Sequence, residues 1–348
     1  MKRSIFIGGV ILCNVCICMG NILPLQTRKV TADNFCTAKA ACVMEQNSRR
    51  VLYEHRGDVR LPMASTTKIA TAITVLEECG DVSQHLIIPQ EAEGIEGSSV
   101  YLKKGEEYSV QDLLYGLMLR SGNDCATALA LYCGGSLENF AAKMNQTAQK
   151  AGALATNFVN PHGLPAPKHY TTARDLSYIA CYAMQNPTFR EIVSTRYYEP
   201  QAWKNKNKLL TSYEWAIGVK TGYTKEAGRC LVSAAKCGNM TLICTVLNCS
   251  DMYECSTRLL EDGFSAYEYT SLLDTTKIYD ITDGKRVYKA KVLEDFSYPL
   301  LQEEKELVKR EIILNNSELK RDENGEILGQ MQIRLVKQLL FSTNLYKL

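Results

Sequence analysis

Three short segments carry side chains suited to acyl transfer: Ser65-Thr66-Thr67-Lys68, Ser121-Gly122-Asn123 and Lys220-Thr221-Gly222. A serine hydroxyl is a poor nucleophile at neutral pH and needs a neighbouring base. A lysine three residues further along a helix lies one turn away on the same face. Ser65 therefore suits attack on a carbonyl and Lys68 suits acceptance of its proton, provided that burial, or a second cation such as Lys220, lowers the lysine pKa. A serine at a helix start also sits at the positive end of the helix dipole, among N–H groups that stabilise an oxyanion. Ser121 suits relay of a proton to a leaving amine, and Asn123 suits a hydrogen bond to a ligand backbone. Lys220 and Thr221 offer a cation and a hydroxyl to a carboxylate, while Gly222 lets a ligand approach the main chain.

No single segment suffices, because Ser-x-x-Lys recurs at Ser233 to Lys236 and Ser317 to Lys320, and Ser-x-Asn at Ser342 to Asn344. Alone, Ser65 and Lys68 also read as a helix cap followed by a surface lysine, and Ser121 to Asn123 as a polar turn. Context separates these cases. Ser65 opens an apolar, helix-favouring run (Ile69, Ala70, Ala72, Ile73, Val75, Leu76) ending near Gly80, whereas Ser233 lies in an alternating, strand-like segment. On a strand, residues three apart point to opposite faces. Asn123 leads into small and apolar residues that read as a buried helix, and Lys220 ends a short apolar run (Trp215, Ala216, Ile217, Val219) that reads as a strand.

Further segments accompany the three: Val51-Leu52-Tyr53-Glu54 before Met63-Ala64-Ser65, Phe158-Val159-Asn160-Pro161-His162-Gly163-Leu164, and Gly218 to Thr224 through Glu226-Ala227-Gly228. Over roughly residues 36–270 the chain resembles the D-alanyl-D-alanine carboxypeptidases, the low-molecular-mass penicillin-binding proteins of bacterial cell walls. The resemblance implies acylation at Ser65, a general base at Lys68, proton relay through Ser121, and ligand contacts from Asn123, Lys220, Thr221 and Gly222. It places the oxyanion hole at the backbone N–H groups of Ser65 and Tyr223. It also implies a peptidoglycan pentapeptide ending in D-Ala-D-Ala as substrate, β-lactam antibiotics as covalent inhibitors, and no metal or organic cofactor. One departure is Cys125, where such enzymes usually carry alanine; as a small hydrophobe it is expected to pack without taking part in chemistry.

The 348 residues, 46% of them hydrophobic, can bury one large core and one small one. The net charge of +2, without a dense Lys/Arg run, argues against nucleic acid as a partner. Met1-Lys2-Arg3 followed by an apolar stretch from Ile5 to Met19 has the pattern of a secretory signal, which predicts an extracytoplasmic protein at the cell envelope. The stretch is short for a spanning helix, but an uncleaved N-terminal anchor stays open. Cleavage after Gly20 or after Ala32 is equally compatible, and Cys18 has a poor lipoprotein context. Fourteen cysteines occur, three of them (Cys13, Cys16, Cys18) in this leader; the eleven others are scattered and read mostly as buried free thiols, not as a disulfide framework.

Positioning these residues requires strands at about 39–46 and 50–55, then helices near 65–79, 109–119, 123–133, 136–151 and 172–185. Strands near 214–220, 228–237 and 240–248 and an amphipathic helix near 252–270 complete an α+β layout. This agrees with the fold that the resemblance implies, a transpeptidase/β-lactamase-like domain with an antiparallel sheet and a helical lobe. From about 275 the pattern turns to alternating charged and apolar residues, as in Lys277 to Ile281, Val287 to Val292, Glu311 to Leu314 and Ile327 to Leu335. The expected organisation is a leader over 1–32, a peptidase domain over 33–272 and a small β-rich C-terminal domain over 273–348. The tail Leu339 to Asn344 is short for an amphipathic anchor, so simple packing is expected there, with membrane-surface association left open.

His162 reads as part of a structural turn at the cleft edge, since no carboxylate partner is identifiable for it. Hydrolysis of D-Ala-D-Ala is the leading expectation. A class A β-lactamase shares the three segments but needs a glutamate for deacylation, and no Glu-x-x-Leu-Asn segment lies between the second and third. A non-catalytic penicillin-binding wall module is the alternative from another class, and endopeptidase action on cross-links stays open.

Overall fold

The computed structural model describes residues 36–282, 286–315 and 320–348. The expected leader over 1–32 and Ser317 lie outside the described residues. Strand β1 (Ala40–Glu45) and strand β2 (Val51–His55) form a hairpin, and the chain then enters a helical lobe. The lobe contains α1 (Lys68–Cys79), α2 (Val110–Tyr115), α3 (Asn123–Gly134), α4 (Leu137–Ala151), α5 (Ala173–Ala183) and α6 (Pro187–Ser194). Strands β3 (Ala216–Thr224), β4 (Gly228–Cys237) and β5 (Met240–Leu247) complete an antiparallel sheet in the order β2-β1-β5-β4-β3. The first and last strands of the lobe's flanks thus meet at β1 and β5, paired from Ala40 opposite Leu247 to Glu45 opposite Leu242.

Alternation along these strands serves two cores. Ala40, Cys42 and Met44 face the helical lobe, while Ala41 and Val43 face the helix α7 (Met252–Ala266) on the other side. Helix α1 is buried from Lys68 through Leu76, as expected of a helix enclosed on all sides. The helix expected over 252–270 ends at Ala266. Glu268–Leu273 is instead a strand, β6, whose alternating Tyr269, Ser271 and Leu273 pair with a later strand. Helix α6 was not anticipated, although Asn186 caps it and Pro187 starts it, which is a legible signal.

The C-terminal region is β-rich, as expected. It holds β7 (Tyr279–Thr282), β8 (Val287–Lys291), β9 (Phe296–Leu300), β10 (Val308–Leu314), β11 (Lys320–Asp322), β12 (Gly325–Leu335) and β13 (Gln338–Lys347). The sheet order is β7-β8-β13-β12-β10, with β11 also on β12, and β6 pairs with β9. The tail from Leu339 is therefore a strand of this sheet and not an amphipathic helix. No helix among the described residues is long and apolar enough to cross a membrane. A buried latch joins this region to the hairpin: the Arg50 guanidinium donates to both Glu304 carboxylate oxygens, at 2.5 and 2.9 Å, and to the Pro299 carbonyl, between the rings of Tyr267 and Tyr298.

Candidate active site

Ser65 lies in a single helical turn, Ala64–Thr67, that runs directly into α1. Ala64 holds a left-handed φ of 50°, and the Thr66 and Thr67 hydroxyls donate to the Met63 and Ala64 carbonyls at 2.6 and 2.9 Å. The Met63 carbonyl also accepts from the Thr66 N–H at 3.3 Å, so side chain and main chain together tie down the bent entry. The His169 ring is locked between this entry and the next segment. Its Nδ1 accepts from the Val159 N–H at 3.1 Å, so its Nε2–H donates to the Thr67 hydroxyl at 2.9 Å.

Ser121 occupies the left-handed turn, φ 66°, between the π-helical stretch Gly116–Arg120 and α3. Asp124, fully buried, accepts hydrogen bonds from Ser99 Oγ and the N–H groups of Val100 and Leu102, drawing the 98–102 segment against the start of α3. Strand β3 is the sheet edge facing Ser65. A Cβ at Gly222 would lie 3.0 Å from the Ser65 nitrogen and 3.1 Å from the Thr66 nitrogen, so glycine is what lets this strand come so close to the Ser65 turn.

The eight expected residues come together. Ser65, Ser121, Thr221, Gly222 and Tyr223 line one cleft of about 370 Å³. Lys68 lies beneath, fully buried, its Nζ 3.0 Å from Ser65 Oγ, 2.7 Å from Asn123 Oδ1 and 2.6 Å from the His162 carbonyl oxygen. The Asn123 carboxamide is engaged at both ends, because its Nδ2 donates to the Glu96 carbonyl at 2.6 Å. Lys220 is buried and donates to the Thr221 carbonyl at 2.9 Å.

Burial, and then the charge of Lys220, push the Lys68 pKa well below the ordinary lysine value. Burial together with the neighbouring Lys206 brings Lys220 down to about 7. A neutral amine has two N–H donors and one lone pair. With the two carbonyl acceptors, Asn123 Oδ1 and His162 O, taking the donors, the lone pair is left for the Ser65 hydroxyl proton. Burial depresses the His162 ring to about 3, and its Nδ1 accepts from the Leu164 N–H at 3.2 Å. The ring is therefore neutral and tethered, and the residue meets Lys68 through its main chain.

Sequence reasoning missed several lining groups: Ser98, Lys206, Arg229, Met252 and Tyr253 also border the cleft. Lys206 donates to Ser98 Oγ at 3.2 Å. None of these lies in a short motif, and a lysine between two asparagines in a polar loop carries no signal of its own. Cys125 is buried, with its thiol pKa raised well above the usual value by burial, in keeping with a packing role.

A family model described as D-alanyl-D-alanine carboxypeptidase matches residues 27–251. The chain is 35% identical over 259 residues to the D-alanyl-D-alanine carboxypeptidase DacF of Bacillus subtilis, spanning 70% of this chain and 66% of that protein. It is 37% identical over 248 residues to a D-alanyl-D-alanine carboxypeptidase of Streptomyces, spanning 64% of this chain and 85% of the relative. Among solved structures, penicillin binding protein 5 from Haemophilus influenzae superposes with a TM-score of 0.74 at 28% identity, over 90% of this chain and 97% of that one. That likeness extends through the β-rich C-terminal region, so the α+β fold with its small second domain is shared as a whole. The chain belongs to the D-alanyl-D-alanine carboxypeptidase family of serine peptidases.

Proposed function

We propose that this protein removes the terminal D-alanine from peptidoglycan stem peptides through an acyl-enzyme on Ser65. Lys68, as the neutral amine, takes the Ser65 proton as Oγ attacks the penultimate D-alanine carbonyl. The N–H groups of Ser65 and Tyr223 hold the oxyanion, Ser121 passes a proton to the departing amine, and Lys220 and Thr221 bind the terminal carboxylate. Asn123 orients Lys68 and faces the peptide backbone once a ligand enters. Water then cleaves the ester, returning Ser65 and the shortened peptide. What carries this reading is the Lys68–Ser65 contact of 3.0 Å at a lysine that, among the described residues, makes no hydrogen bond to a carboxylate.

The interval between Asn123 and Lys220 holds no Glu-x-x-Leu-Asn segment and instead carries the Pro161-His162-Gly163 turn, whose His162 carbonyl meets Lys68, which supports a peptidase over a class A β-lactamase. The same reading makes β-lactams covalent inhibitors, residues 33–272 the catalytic domain and 273–348 an accessory domain. It also makes residues 1–32 an export leader that delivers the enzyme to the extracytoplasmic face of the envelope. Incubation of the purified protein with a pentapeptide ending in D-Ala-D-Ala tests it. Repeated D-alanine release, lost in Ser65→Ala together with the penicillin adduct, is the expected result. Rapid turnover of penicillin without a lasting adduct, or an adduct without D-alanine release, would overturn it.

A further inference from the structure

Helices α1 and α3 both begin at the active site and end together on the far side of the lobe. At their starts Lys68 Nζ and Asn123 Oδ1 are 2.7 Å apart; at their ends Cys79 Sγ and Cys133 Sγ are 2.6 Å apart. Two unbonded thiols do not rest so close, and a disulfide bond is about 2.0 Å long. Both cysteines are half-buried, within reach of a small oxidant, whereas Cys42, Cys125, Cys181, Cys230 and Cys244 are enclosed in the cores.

We infer that Cys79 and Cys133 form a disulfide that staples the two helices presenting Ser65, Lys68, Ser121 and Asn123. The Cys79 thiol is the acidic member, its pKa lowered by the hydrogen bond from Cys133, while that of Cys133 is raised. Cys79 thiolate attacks one sulfur of a small-molecule disulfide such as glutathione disulfide and expels one thiolate, giving a mixed disulfide. Cys133 then loses its proton, attacks the Cys79 sulfur and expels the second thiolate. Two protein thiols are oxidised and one external disulfide is reduced to two thiols.

The closed loop runs from Cys79 to Cys133 and contains Ser98, Ser121 and Asn123, so the bond restrains the unfolded lobe and holds the far ends of both helices together. A second bond, Cys36–Cys255, anchors α7 on the opposite face of the sheet. Each helical layer then has its own covalent tie, a pattern suited to an oxidising compartment. In the structure the expectation of mostly free thiols holds for nine of the described cysteines, and the Cys36–Cys255 bond departs from it because proximity in the fold is invisible to spacing.

The test uses the full chain, oxidised with glutathione disulfide, denatured, alkylated with N-ethylmaleimide without reductant, digested and mapped by mass. The expected result is a peptide joining Cys79 to Cys133 beside the one joining Cys36 to Cys255. Complete alkylation of Cys79 and Cys133 in a sample where Cys36–Cys255 is intact would overturn the inference. The Cys79→Ala/Cys133→Ala double variant should release D-alanine within about twofold of wild type at 25 °C yet melt several degrees lower than the oxidised wild type. An unchanged Tm in that folded variant would overturn the stapling role.

Discussion

The Nζ atom of Lys68 lies 2.6 Å from the backbone carbonyl oxygen of His162, so the turn that follows α4 supplies the active site with an acceptor and not with a base. That carbonyl and Asn123 Oδ1 take both N–H bonds of a neutral amine, which sets the direction of its lone pair. Three segments far apart in sequence thereby position one amine.

The pH profile of acylation follows. In the proposed mechanism Lys68 acts when deprotonated, and burial, then the charge of Lys220, hold its pKa well below the ordinary lysine value. The acylation rate by penicillin should therefore rise with pH and level off well before pH 10, while ligand affinity weakens above about pH 7 as Lys220 loses its charge. Lys68→Met should lower the rate by about 10²-fold or more. A rate that climbs only through pH 10, or a Lys68→Met rate within a few-fold of wild type, would refute a neutral lysine base.

Lys220 should cost stability. Its folded pKa of about 7 lies below the ordinary value of 10.5. Between these values the unfolded chain binds the extra proton, so the stability contribution rises as pH climbs through this window, and the full penalty applies below pH 7. Lys220→Met is expected to stabilise the protein by about 2–4 kcal/mol at pH 6, with the advantage shrinking toward pH 10, and to weaken substrate binding. Denaturant melts of both proteins at pH 6 and pH 9 measure the difference.

Gly163 sits with φ 89° where a Cβ would fall 1.9 Å from the Ala64 carbonyl oxygen, next to the Ser65 turn. Gly163→Ala should destabilise by about 2 kcal/mol or more and slow acylation, because the turn and Ser65 must move apart. Gly152 has a similar φ of 90° but open space around it, so Gly152→Ala isolates the backbone strain. Equal effects of the two on acylation would remove the contact from the argument.

Arg50→Ala should leave the Glu304 carboxylate buried without its partner, a loss of about 3–5 kcal/mol. Since Arg50 bridges the β1–β2 turn and the β-rich domain, thermal unfolding should broaden or split, with penicillin acylation retained below the first transition. A coincident, unshifted melt would show that the latch does not couple the two parts. The double change Arg50→Met/Glu304→Leu, which removes both charges, should recover part of the loss.

Much of the site was legible in the sequence because its signal is local. The i, i+3 spacing of Ser65 and Lys68 puts them on one helical face, and the short apolar runs of β3 through β5 mark strands buried on both faces. What tertiary structure alone decided has no side-chain signature. The His162 and Glu96 carbonyls that hold Lys68 and Asn123 exist in every peptide, so no residue type announces them. The tail from Leu339 could be read as packing or anchor until β12 offered it a partner, since strand pairing is a property of two segments. The depressed pKa of Lys68 and the meeting of Cys79 with Cys133 likewise depend on burial and on helices that converge in space, quantities that a linear order of residues does not contain.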